Sequence, residues 1–123
     1  DCPPERMVEA QFTMESGYEK MKELLKREPK IDAVFCATDN IAIGAMRYLK
    51  EIGKSIPHDV ELAGIGDTPF AGLVEPALAT VHLYYKTAGA EGAAMLVEHM
   101  EKEDAVSREL KMGFEIKKKA SVL

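Results

Sequence analysis

The residues best placed for recognition chemistry stand at two junctions, Thr38-Asp39 and Gly66-Asp67, each directly after an apolar run of strand character. In open parallel sheets small molecules bind beyond the carboxyl ends of the strands, so these junctions bring polar groups to one edge. Asp39 has a purely structural account as the cap of the following helix, which does not prevent it from touching a ligand or orienting its neighbours. Gly66 either allows a tight turn or leaves room for a ligand to approach the backbone. Phe12, ahead of the first helix, reads on its own as core packing. His82 is the histidine near these junctions, whereas His58 follows Pro57 in a turn and His99 falls on a polar helix face.

Signatures of catalysis are missing. The chain has no G-x-S-x-G, no Walker loop and no H-E-x-x-H. Gly64-Ile65-Gly66 lacks the third glycine and the helix placement of a dinucleotide fingerprint. The three histidines are scattered singly, and Cys2 and Cys36 are far apart without partners at metal-ligand spacing, so neither a metal nor a cofactor is expected. Cys36 lies in an apolar run, where free cysteine behaves as a small buried hydrophobe, and nothing requires an oxidising compartment.

With 123 residues, 46% hydrophobic and 30% charged, the chain has the size and make-up of one small globular domain. No apolar stretch approaches the roughly 20 residues that span a bilayer. A net charge of -5 argues against a nucleic-acid surface on this chain, and its one basic run, Lys117 to Lys119, reads as a solvated strand end.

The elements that must carry the junctions alternate. Tyr18, Met21, Leu24 and Leu25 recur at helical spacing behind a capping box at Ser16 and Glu19, with Thr13 a rival start and Pro29 the stop. Residues 31–38 form a nearly continuous apolar run that suits a strand buried on both faces. Asp39 then caps a helix with the stripe Ile41, Ala42, Ala45, Met46 and Leu49, and Gly53 stands where a left-handed residue closes it. Residues 60–66 read as the next strand, and Asp67-Thr68-Pro69 opens a short helix. Strand, helix, strand at these lengths is a parallel βαβ unit. A strand at 78–83, a helix at 84–102 with Tyr85, Gly89, Gly92, Ala93, Leu96 and Met100 along one side, and an alternating strand at 110–116 complete the chain.

Five segments in order resemble one family. Residues 37–46 (A-T-D-N-I-A-I-G-A-M) are similar to its (N/T/S)D-x-x-A-x-G-A segment, and 56–60 (I-P-H-D-V) to its IP-x-D-(V/I) turn. Residues 64–67 (G-I-G-D) stand at its G-(Y/F)-D-D strand end, 76–81 (P-A-L-A-T-V) at its P-x-L-T-T-(V/I), and 12–18 (F-T-M-E-S-G-Y) at its aromatic-x-x-x-S-G-(Y/F) element. The chain thereby resembles the C-terminal part of LacI/GalR-type transcription regulators, with the stretch H-L-Y-Y-K-T-A-G most similar to sucrose- or trehalose-type repressors.

The resemblance implies an α/β fold, a Rossmann-like parallel sheet with flanking helices, of the periplasmic-binding-protein-like type I class and present as a partial domain. Such proteins close two subdomains on a small effector, usually a sugar or sugar phosphate, and bind operator DNA through an N-terminal helix-turn-helix domain that this chain would lack. Crossings between subdomains would fall near Leu83 and Asp104, with 84–102 returning to the other subdomain. By the same resemblance Phe12 stacks on the effector, since sugar C–H faces pack on aromatic rings. Thr38, Asp39, Gly66, Asp67, Leu83 and Tyr85 complete the implied effector contacts. Thr38 replaces a common asparagine, Gly66 an aspartate that bonds a sugar hydroxyl in many relatives, and Leu83 a hinge glutamine. Ile43, Phe70, Leu73 and Val74 occupy the implied dimer interface. A cytoplasmic homodimer without membrane contact, switched by a population shift, is expected. The alternatives are a periplasmic sugar-binding protein of a transport system and, more remotely, a small α/β enzyme.

Overall fold

The computed structural model describes residues 3–102, 104 and 106–123, so Cys2 and part of the second expected crossing lie outside the described residues. Helix α1 spans Met14–Arg27, strand β1 Ala33–Phe35, helix α2 Asp39–Glu51, β2 Glu61–Ile65, β3 Ala79–Leu83, helix α3 Tyr85–Glu101 and β4 Phe114–Lys117. Single 3-10 turns stand at Pro4–Arg6 and Pro69–Gly72. The four strands form one sheet in the order β1-β2-β3-β4. The first three run parallel, as the alternating pattern requires, but β4 is antiparallel to β3, with Thr80 opposite Lys117 and Leu83 opposite Phe114. The sheet is therefore mixed, not purely parallel.

Local chemistry decides both helix starts against the expected residues. Thr13 has extended backbone and its hydroxyl accepts the Ser16 N–H at 3.1 Å, so it caps α1 in place of Ser16. The Ser16 hydroxyl instead accepts the Gln11 N–H at 2.9 Å, tying down the chain ahead of the helix. At α2 the cap is Thr38, which accepts from the Ile41 N–H at 3.3 Å, and Asp39 becomes the first helical residue. That one-residue offset frees the Asp39 carboxylate for other partners. Gly53, at φ 77°, ends the helix as expected.

The core fills the space between the two helices and one face of the sheet. Met21 of α1 packs in one cluster with Ile41, Ala42, Ala45, Met46 and Leu49 of α2 and with Val60, Leu62 and Leu78, all buried. The helices touch through their backbones: a Cβ on Gly44 would lie 1.9 Å from the Met14 carbonyl oxygen, and one on Gly17 2.2 Å from that of Ile41. Among the described residues, helices cover one sheet face. Alternation turns Val34, Leu62 and Gly64 toward the helices and leaves Phe35 65% exposed, with Phe114 and Ile116 also exposed, so β1 is a three-residue edge strand and not a strand buried on both faces. The apolar side of α3 is uncovered too, since that helix buries none of its residues.

Ser121 laces the sheet from the far end of the chain. Its hydroxyl donates to the Leu62 carbonyl at 2.5 Å and accepts the Ala79 N–H at 2.8 Å, while its backbone N–H donates to Ala77 and its carbonyl accepts from Leu62. The backbone contact of α1 and α2 leads to a direct prediction. Gly44→Ala, which forces the helices apart, lowers stability in denaturant titrations by about 1–3 kcal/mol. Gly92→Ala, where a new Cβ meets nothing within 4 Å, raises it by up to about 1 kcal/mol.

Candidate functional site

The carboxyl ends of β1 and β2 and the first residues of β3 meet around Asp39. This side chain has no exposed surface. Its Oδ1 accepts the Thr80 hydroxyl at 2.6 Å and its Oδ2 accepts the Thr68 N–H at 2.8 Å, so a carboxylate in the first turn of α2 ties together the loop after β2 and strand β3. A negative charge there also complements the N-terminal end of the helix dipole. Gly64 makes the approach possible, because a Cβ would lie 2.6 Å from Asp39 Oδ1. The buried Thr68 Oγ1 has no hydrogen-bond partner among the described residues.

Thr80 extends the tie outward, its oxygen accepting the Asp67 N–H at 3.2 Å. Gly66 and Asp67 both have positive φ, 134° and 50°, and the second value is unusual for a residue with a Cβ. The turn presents the partly buried Asp67 carboxylate at the sheet edge. Lys119 Nζ donates to its Oδ1 at 3.2 Å, and His82 Nδ1 stands 3.1 Å from its Oδ2. An ionised carboxylate only accepts, so Nδ1 carries the hydrogen. Partial burial works to raise the Asp67 pKa, but the hydrogen bond and charge of Lys119, followed by those of His82, outweigh it and hold the carboxyl below its ordinary range. The His82 ring packs edge-on against Tyr84, centroids 5.0 Å apart. Asp67 is thus an anionic acceptor fixed from three sides.

The expected site residues are partly brought together. Thr38, Asp39, Gly66 and Asp67 share the edge, and Thr80, His82 and Lys119 join them. Thr80 and Lys119 were not legible as site residues: Lys119 reaches Asp67 across 52 positions, and the lysine run reads in sequence as a solvated strand end. The bond to Asp67 corrects that reading for Lys119. Leu83 alternates to the opposite face of β3 from Thr80 and His82. Tyr85 opens α3 and is exposed. Phe12 is 69% exposed, which rules out core packing in this structure and leaves its ring face open. Phe70 and Leu73 are exposed, Leu73 at 80%, while Ile43 and Val74 are partly buried against the core.

Two further features lie apart from this edge. A groove of about 750 Å³ runs beside α1 and β1, lined by Met7, Met21, Leu24, Val34 and Leu62 among others. It contains none of Thr38, Asp39, Gly66 or Asp67, and it is an uncovered flank of the core, not a polar cleft. Cys36 is buried, and burial pushes its thiol up to about 12, so it is inert packing as expected. No group of three or more His, Cys, Asp or Glu side chains suited to a metal ion occurs among the described residues, and no described helix is long and apolar enough to cross a membrane.

Comparison with known proteins gives a consistent set. The family model of the periplasmic binding protein-like domain matches residues 1–122. The HTH-type transcriptional regulator CelR of Thermobifida fusca is 38% identical over 89 residues, 72% of this chain and 26% of that protein. The lactose operon repressor of Rhizobium radiobacter is 37% identical over 90 residues, 73% of this chain and 80% of that protein. Among solved structures, the transcriptional regulator CelR–cellobiose complex superposes with a TM-score of 0.92 and 30% identity, covering 98% of this chain and 37% of that one. The chain therefore spans about a quarter of the Thermobifida fusca regulator and a little over a third of the chain in the CelR–cellobiose structure.

Proposed function

The chain belongs to the periplasmic binding protein-like domain family, among the LacI-type transcription regulators, and on that premise we propose that it forms one wall of a sugar-sensing site in a DNA-binding repressor. The observation that carries the reading is Asp67. It is a fixed, partly buried carboxylate at the carboxyl edge of a parallel βαβ unit, where a small molecule with several hydroxyl groups finds a charged acceptor. Exposed Phe12 offers a ring face for the apolar side of a sugar. The likeness to a regulator held with cellobiose supports a saccharide, and the relatives above favour a regulator over a transport protein.

In this reading Thr38, Gly66, Leu83 and Tyr85 border the effector, and Asp39 acts through the residues it holds. Helix α3, which buries nothing within the described residues, returns to and packs on the other subdomain, which forms the other wall. Phe70 and Leu73, with Ile43 and Val74 at their base, meet a second copy of the chain. Operator DNA is bound by a helix-turn-helix domain outside this sequence, in the cytoplasm, and the effector shifts the balance between two subdomain arrangements. Coupling of that kind typically amounts to about 1–3 kcal/mol.

Two measurements test the reading in the full natural polypeptide that carries this chain. A thermal-shift panel of cellobiose, sucrose, trehalose, their constituent monosaccharides and phosphate esters gives a concentration-dependent rise in Tm with at least one saccharide, because a ligand of the native state stabilises it. No shift with any of them contradicts a sugar effector. Sedimentation of Leu73→Asp shows a shift from dimer toward monomer, since the charge enters an apolar contact. A dimer that persists unchanged on dilution removes Leu73 from the interface.

A further inference from the structure

We infer that Lys119 is a positioning residue for the effector site, holding Asp67 in its left-handed turn with His82 as a second brace. This rests on the reading of the Asp67 edge as the place where effector hydroxyls are bound.

The turn cannot hold itself. Asp67 sits at φ 50°, a conformation that costs a residue with a Cβ and persists only where the surroundings enforce it. Three separate parts of the chain do so. Strand β3 takes the backbone N–H through Thr80 and one carboxylate oxygen through His82, and the C-terminal segment takes the other oxygen through Lys119. Lys119 is itself fixed, because Ser121, two residues on, is hydrogen-bonded to Leu62, Ala77 and Ala79. The ammonium therefore arrives at Asp67 from an anchored backbone, with its side chain 25% exposed.

Each carboxylate oxygen offers two acceptor directions, and one on each is used. The remaining two accept from none of the described residues and are available to hydroxyl donors, aimed by the two braces. The charged and titratable neighbours of Asp67 are Lys119 and His82 in contact, Lys117 on β4 at longer range, Tyr84 against the His82 ring, and Asp39 behind Thr80. Lys117 is held by Glu115. Lys119 is thus the one ammonium in contact with Asp67 among the described residues, and it extends the acceptor's ionised range further into acid as well as orienting it.

The experiment uses the full natural polypeptide, titrated calorimetrically with cellobiose and with the saccharide giving the largest thermal shift, from neutral pH downward. Lys119→Met is compared with Lys119→Gln and Lys119→Arg, together with carbon-detected magnetic resonance of the Asp67 carboxyl. A group whose folded pKa is depressed keeps its contribution above its unfolded value and loses it as pH falls through the folded one. Binding that needs ionised Asp67 therefore persists further into acid in the wild type than in Lys119→Met, whose acid limb moves to higher pH. At neutral pH the loss in affinity is about tenfold, the scale of one charge-assisted hydrogen bond, and Lys119→Arg restores most of it. The melting temperature changes little, because a part-exposed ion pair contributes little to stability.

Unchanged affinity in both Lys119→Met and Lys119→Gln, with the acid limb in place, overturns the inference. Should Lys119→Met not fold, Lys119→Gln decides by the same criteria. If the wild type binds no saccharide, the effector reading fails by itself and the Asp67 titration decides the rest. An upward move on losing Lys119 upholds the brace, and an unmoved titration overturns it.

Discussion

A buried carboxylate is costly unless both of its oxygens find hydrogen-bond donors, and the arrangement of this molecule turns on how Asp39 meets that demand. It has no exposed surface, and it takes the Thr80 hydroxyl on one oxygen and the Thr68 N–H on the other. Each partner belongs to a different part of the sheet edge, so satisfying one charge fixes helix α2, strand β3 and the loop after β2 against one another. The demand also explains choices around it. Thr38 takes over the capping role, so that the carboxylate is free, and position 64 has no side chain, because a Cβ would occupy the place of Asp39 Oδ1.

From that tie the rest of the edge is set in sequence. Thr80 passes the constraint to the backbone of Asp67, whose carboxylate is then gripped by His82 and Lys119. The same loop continues through Pro69–Gly72 into Leu73, so the Asp67 carboxylate and the exposed Phe70 and Leu73 lie within seven residues of each other. Thr68, held by Asp39, stands between them. On the proposed reading, a regulator has to connect a binding event to a change at an interface, and the short backbone stretch anchored by Asp39 is the connection proposed for it.

How much of this could be read from the residues depended on the range of the interaction. The stripe Ile41, Ala42, Ala45, Met46 and Leu49 follows from helical periodicity, and all five are buried as that pattern requires. Cys36 and Gly53 also behave as their neighbours imply. Periodicity was less reliable where covering was at stake: β1 and α3 carry apolar residues suited to burial, yet Phe35, Leu96 and Met100 face outward in this chain. Caps shifted because the competing side chains, Thr13 against Ser16 at α1 and Thr38 against Asp39 at α2, are all good capping residues and are separated only by backbone conformation. The antiparallel β4, the Ser121 staple and Lys119 were not legible, since each depends on pairing across tens of residues that local pattern does not encode. Of the edge itself, Thr38, Asp39, Gly66 and Asp67 were identifiable as strand-end residues and His82 as the histidine near them, whereas Thr80 and Lys119 were not.

The central claim is that Asp67 is the charged acceptor for effector hydroxyls. Its most direct test is a calorimetric titration of the full natural polypeptide with its best saccharide, comparing wild type with Asp67→Asn, which keeps the shape and removes the charge. The account predicts a loss of at least about tenfold in affinity, or about 1.4 kcal/mol, with the melting temperature of the unliganded protein little changed. Equal affinity in the two proteins would contradict it and move the recognition of the effector away from this edge.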